Sequence, residues 1–210
     1  MSGRPLTMDQ MSRPAVVQQL IDQTIKVVEE RGEVSLRIRD LVEETGIALA
    51  TIYKYFGNRE GLLDSAYAEM YLRTALHPFS YFSEAIQACT NADEFASVIE
   101  NFLNLQNTAE AAHRRRTRIS VFGSAQARPS LASKIADMNL QYADAFAELM
   151  KSPQEKGWIS QEFDVSTIAI WFLGYLNLRS AMDLRVDDWN IDEMNRAYNA
   201  AVVQTFIRRA

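Results

Sequence analysis

Residues 45–63 read TGIALATIYKYFGNREGLL, and this stretch decides the fold. Gly46 supplies a tight turn, because a residue without Cβ tolerates positive φ. After it, Ile47 and Ile52 fall on an inward face with Leu41, Val42 and Phe56. Ala48, Leu49, Ala50, Thr51 and Lys54 are then left facing outward, with the hydroxyls of Tyr53 and Tyr55 near the end of the short helix. A bracing helix, a glycine turn and a second helix with an outward reading face form the helix-turn-helix pattern. Asn58 is placed to cap a following helix, and Arg59 opens it, where a positive charge and free backbone amides together hold a phosphate. Arg37 and Arg39, at the start of the bracing helix, are further phosphate candidates.

Outward from this segment the chain keeps helical periodicity. Val17, Leu20, Ile21, Thr24, Val27 and Val28 recur at steps of three and four, and Gly32 is placed to end that helix. Ser35 is the expected cap of the next. Beyond Pro78 the pattern predicts helices over about 93–107, 109–127 and 130–151. Asp164 and Asn190 are expected to cap the last two, which carry Val165, Ile168, Phe172, Tyr175 and Leu176, then Ile191, Met194, Tyr198, Val202 and Phe206. No segment alternates with period two, so the expected class is all-α.

Composition excludes several classes. The 210 residues include 22 Lys+Arg and 27 Asp+Glu, a net charge of −5, without the basic footprint common in nucleic-acid binders. Residues 1–63 hold 8 basic and 9 acidic residues, net −1, so a DNA-binding face has to be assembled locally from Arg37, Arg39, Lys54 and Arg59. One cysteine, Cys89, and two histidines, His77 and His113, offer neither a disulfide framework nor a zinc site, and no metal or cofactor is expected. No nucleophile-elbow spacing accompanies His113, so no enzymatic chemistry is expected. The amino terminus lacks the apolar core of a signal peptide and no run reaches membrane-spanning length, which predicts a cytoplasmic protein with no membrane partner.

Arg31-Gly32, Arg39-Asp40, Gly46, Tyr53-Lys54-Tyr55-Phe56 and Arg59-Glu60-Gly61-Leu62 stand in an order and spacing that resembles the TetR family of tetracycline-repressor-like transcriptional regulators, over about Val16 to Tyr67. The resemblance implies an all-helical homodimer: a three-helix DNA-binding head, a connecting helix from Arg59 to about Leu76, and a larger domain that binds a small effector. It also implies that the last two long helices pair with those of a second copy as a four-helix bundle. The expected division is a flexible arm (1–12), the head (13–58) and an effector-binding and dimerisation domain (59–210). The chain departs from the family pattern at Ala48, Ala50, Tyr55 and Arg59, where Ser or Thr, Gly or Pro, His and Lys are usual. With few polar side chains on the recognition helix, Ala48, Leu49 and Thr51 are expected to touch thymine methyls while Tyr53, Lys54, Tyr55 and Arg59 position the backbone.

For the effector, Phe102, Phe122, Tyr142, Phe146 and Trp171 are candidate pocket residues, although aromatics at helical spacing are more often plain core. Arg115 lies in the run His113–Arg118, which reads as a solvated face; turned inward it would require a partner, and an effector carboxylate is one. Phe172, Tyr175, Tyr198, Val202 and Phe206 are the expected dimer contacts. The partners implied are thus an operator in double-stranded DNA, an unidentified small-molecule effector and a second copy of the chain. The alternative is an all-α interaction protein whose alanine-rich head no longer binds DNA specifically.

Overall fold

Most of the described chain is helical. The computed structural model describes residues 13–183 and 190–208, the side chains at 75–78, 173, 176–178, 181 and 182 excepted. Among the described residues are nine α-helices: α1 (Ala15–Arg31), α2 (Ile38–Thr45), α3 (Leu49–Phe56), α4 (Arg59–Ala88), α5 (Ala92–Leu105), α6 (Ala109–Gln126), α7 (Pro129–Glu155), α8 (Val165–Met182) and α9 (Ile191–Phe206). A 3-10 turn, Glu33–Ser35, separates α1 from α2, and the only extended pairing among these residues is an isolated bridge between Ile159 and Ile207. The fold is all-α, as expected. The expected arm, residues 1–12, lies outside the described residues.

Local chemistry sets most helix ends. Gly32, at φ 76°, stops α1 and donates its N–H to the Val28 carbonyl at 3.0 Å. Asn58, Asp164 and Asn190 cap α4, α8 and α9 as expected, accepting from the backbone N–H groups of Gly61, Thr167 and Glu193. Ser35 does not cap α2. Arg37 holds the N-cap position there, and the Ser35 hydroxyl donates back to the Arg31 carbonyl, closing the 3-10 turn. Two helices also outrun the sequence reading. The helix opened by Arg59 continues through position 78 to Ala88, because Tyr71 and Leu72 before it and Phe82 and Ile86 after it are buried, which outweighs the roughly 3 kcal/mol cost of an interior proline. Helix α7 likewise contains Pro153, but only in its last turn.

The chain divides into two units. The first contains residues 13–73 and 121–138, the second 74–120 and 139–208, so α4, α6 and α7 each contribute to both. In the first, Leu20, Ile21, Leu41, Ile52, Leu62, Leu63 and Ala66 are wholly buried with Val121 and Leu131. The head therefore does not close on itself at residue 58: three short helices bury too little, and α4 and the α6–α7 corner complete its core. Arg128 ties that corner down, reaching Glu33 (3.2 Å), Glu60 (2.6 Å) and Asp64 (3.4 Å), while Ser130 donates to Asp64. In the second unit Phe82, Phe102, Phe146 and Phe172 form a ring cluster with centroid separations of 4.2 to 5.9 Å.

Candidate nucleic-acid interface

Helices α2 and α3 meet at Gly46, which adopts the left-handed conformation (φ 69°, ψ 6°) and donates to the Val42 carbonyl. Thr45 tightens the corner: its hydroxyl donates to the Leu41 carbonyl (2.5 Å) and accepts from the Ile47 N–H (3.2 Å). Ile52, with no exposed surface, anchors α3, and Ile47, Val42 and Phe56 pack around it half-buried. Truncating such an anchor costs about 2–5 kcal/mol, so one buried side chain sets the rotation of the whole eight-residue helix.

That rotation turns Ala48, Leu49, Ala50, Tyr53, Lys54 and Tyr55 outward and leaves Thr51 at the edge. Leu49, Tyr53 and Tyr55 are 44%, 47% and 43% exposed, a large apolar load on an eight-residue helix facing solvent. The Lys54 ammonium sits 5.4 Å from the Tyr55 ring centroid, and Arg37 and Arg39 are exposed on α2. None of these three cations forms an ion pair among the described residues. Neither α2 nor α3 has a side-chain N-cap, whereas α4, α5, α8 and α9 do. The first turns of α2 and α3 thus lack the side-chain acceptor that closes the other four, an arrangement suited to phosphate oxygens.

Arg59, expected in that set, is spent internally. Its Nε donates to the Leu36 carbonyl (3.0 Å), its Nη2 to the Glu33 carbonyl (2.5 Å) and its Nη1 to the Glu60 carboxylate (2.6 Å), while Asn58 occupies the Gly61 amide. It braces the α1–α2 connection instead of facing a phosphate. The carbonyls of a 3-10 turn 23 to 26 residues upstream are not legible as its partners in sequence.

The family model for bacterial regulatory proteins of the tetR family matches residues 20–66, which span this helix-turn-helix. Residues 20–66 thus match the amino-terminal DNA-binding segment of the TetR family. Comparison with curated proteins finds no significant match. Among solved structures, a TetR-family transcriptional regulator from Cytophaga hutchinsonii is 16% identical with a TM-score of 0.65, over 97% of this chain and 100% of that one. FadR from Bacillus subtilis, in complex with stearoyl-CoA, is 20% identical with a TM-score of 0.57, over 89% and 97%. A proposed transcriptional regulator from Saccharomonospora viridis, in complex with choline, is 16% identical with a TM-score of 0.63, over 92% and 98%. At these identities the likeness is one of fold, and it is the fold of a TetR-family transcriptional regulator. No helix among the described residues is long and apolar enough to cross a membrane.

The second unit divides the expected pocket residues. Phe102, Phe146 and Trp171 line an apolar cavity of about 30 Å³ with Phe82, Ile168 and Phe206. Tyr142 instead meets Phe79 edge to face, and Phe122 belongs to the first unit, packed on Tyr71. Arg115 does turn inward, against the reading of its run as a solvated face. Its Nε and Nη2 donate to the Asp183 carboxylate at 2.6 and 2.8 Å, and its Nη1 donates to the Gln106 carbonyl at 2.6 Å. Asp183, 68 residues away, was beyond sequence reasoning.

The expected dimer residues also face elsewhere. Phe172, Val202 and Phe206 are buried in their own unit and line the same cavity, while Tyr175 and Tyr198 stack on each other with an interplanar angle of 4°. Burial pushes both hydroxyls up, Tyr198 far above its ordinary value, so each remains a neutral donor. The outward face of α8 carries Thr167, Ile170, Trp171 and Gly174, and that of α9 carries Ala197, Ala200 and Ala201. Helix α8 is apolar on nearly every side, so its periodicity could not separate inward from outward.

Proposed function

We propose that this chain is a TetR-family repressor that binds a pseudo-palindromic operator as a homodimer and is released by a small-molecule effector. The observation that supports it best is the combined surface of α2 and α3: an exposed apolar face, two helix N-termini without side-chain caps, and Arg37, Arg39 and Lys54 without ion pairs among the described residues. In this reading Ala48, Leu49 and Thr51 contact thymine methyls, Tyr53 and Tyr55 donate to phosphates, and the cations fix register. With a chain charge of −5, binding outside the operator is weak, and specificity depends on two heads spaced about 34 to 36 Å, one DNA turn.

Dimerisation is assigned to the outward faces of α8 and α9. Ile170 is 61% exposed, and Gly174, Ala197, Ala200 and Ala201 allow close helix approach, so a second copy would bury a surface that is costly to leave in water. The effector is assigned to the unit of residues 74–120 and 139–208. An effector that favours a different head spacing by 1–3 kcal/mol changes DNA affinity about 5- to 150-fold. Working on DNA, the protein acts in the cytoplasm. Selection of fragments from random DNA by the purified full chain tests the reading. Recurrence of an inverted repeat supports the repressor, and absence of enrichment supports the interaction protein with a degenerate head.

A further inference from the structure

Among the described residues, the polar interior of the second unit has an imbalance of charge. Arg115 and Asp183, whose side chains are 3% and 4% exposed, satisfy each other through two hydrogen bonds, and the remaining Arg115 nitrogen is taken by the Gln106 carbonyl. Arg179, also 4% exposed, is the second cation on the same carboxylate: its Nη1 lies 3.7 Å from Asp183 Oδ1, outside hydrogen-bond range. Its Nε and Nη1 have no hydrogen-bond partner among the described residues, and neither do the Tyr198 hydroxyl and Asn195 Oδ1. Tyr175, stacked on Tyr198, feels the Arg179 charge, which opposes the rise that burial imposes on its hydroxyl. Two guanidinium groups thus share one carboxylate among the described residues. An arginine cannot shed its proton to escape burial, so the excess charge calls for an anion.

Three helices connect this cluster to the apolar cavity. Phe172 and Arg179 are seven residues apart on α8, and Val202 and Asn195 seven apart on α9, each about 10 Å along the axis. On α5 the step from Phe102 to Gln106 is a single turn. Donors at one end and phenylalanines at the other match an amphipathic ligand with its charge at the cluster. At about 30 Å³ the cavity holds little more than a water, so the apolar stem would have to displace its lining, and the half-exposed Trp171 is the side chain at its rim.

We propose that Arg179 and Tyr198 receive the carboxylate of an amphipathic effector whose apolar stem, about 10 Å long, enters the phenylalanine-lined cavity. This rests on the effector reading above and selects a ligand class within it. Choline and stearoyl-CoA, held by two structures of the same fold, differ in charge, and a guanidinium that shares its one described carboxylate with Arg115 favours the anionic class here.

Calorimetric titration of the full chain with octanoate, 1-octanol and octyltrimethylammonium is the test. Octanoate should saturate at least about tenfold tighter than octanol, the gain expected of a hydrogen bond to a charged group, and the ammonium should not bind. Arg179→Met should abolish the preference for octanoate while leaving octanol unchanged. Removing an uncompensated buried cation should not unfold the chain, and Tyr198→Phe, which keeps the ring, should weaken octanoate severalfold as a second reading. Equal affinity for acid and alcohol, retention of octanoate binding by Arg179→Met, or no binding of any probe overturns the proposal. Operator selection is performed without ligand, so an inverted repeat recovered alongside a failed titration would leave the regulator standing and remove only this ligand class.

Discussion

Replacing Gly61 by alanine sets two effects against each other, and the structure decides the sign. In an exposed helix the change from glycine to alanine stabilises by up to about 1 kcal/mol, because alanine loses less backbone entropy on folding. At Gly61 a Cβ would stand 2.1 Å from the carbonyl oxygen of Phe56, the last residue of α3. Ordinary carbon–oxygen contacts are about 3.3 Å or more, so over 1 Å of movement is needed. The neighbour is backbone, already accepting from the Asn58 N–H at 2.8 Å, and cannot rotate aside. Overpacking costs about 1–3 kcal/mol, and an overlap this deep with backbone falls in the upper part of that range, about 2–3 kcal/mol, leaving a net loss of about 1–2 kcal/mol after the helical gain. Thermal unfolding followed by circular dichroism should drop by roughly 2–8 °C for a chain of this size. Gly123, on the exposed side of α6 with nothing within 4 Å of its Cβ, is the internal control: Gly123→Ala should stabilise by about 0.4–1 kcal/mol. If Gly61→Ala melts at or above the parent temperature, the close approach of α4 to the end of α3 is not as described.

Lys54 and Arg59 should separate in DNA binding measured by fluorescence anisotropy across salt concentrations. Lys54→Ala should weaken binding to all sequences and reduce the salt slope by about one, whereas Arg59→Ala should leave the slope intact and destabilise the head by about 1–3 kcal/mol through the orphaned carbonyls of Glu33 and Leu36. The reverse pattern would return Arg59 to the phosphates. Ile170→Glu should convert a dimer to a monomer in light scattering at micromolar concentration without lowering helix content; a parent chain that is itself monomeric there would remove the α8–α9 bundle.

What was legible in the sequence was local. Gly46, Asn58, Asp164 and Asn190 act within four residues of their own position, so their roles as turn and caps follow from side-chain chemistry alone. The outward set on α3 was legible for a related reason: Ile47, Ile52 and Phe56 leave only one face free. The errors lie where a second segment decides. Arg59 needed the carbonyls of a distant turn, Arg115 needed Asp183, and Phe172, Val202 and Phe206 needed to know which of two apolar faces the ring cluster would occupy. Ser35 failed differently, because a 3-10 turn offered its hydroxyl a nearer carbonyl than the helix offered an amide.

The Arg128 clasp and the buried Val121 and Leu131 have a consequence for recombining such regulators. The DNA-reading unit is assembled from two separate stretches of chain, so a chimera made with one crossover after α4 begins would keep the recognition helix yet inherit a foreign corner beneath it. Glu33, Glu60 and Asp64 would then face whatever residue the donor carries at position 128, and the floor under Leu62 and Leu63 would no longer match. Transplanting operator preference between relatives therefore calls for exchanging 121–138 together with the amino-terminal segment, as one discontinuous module.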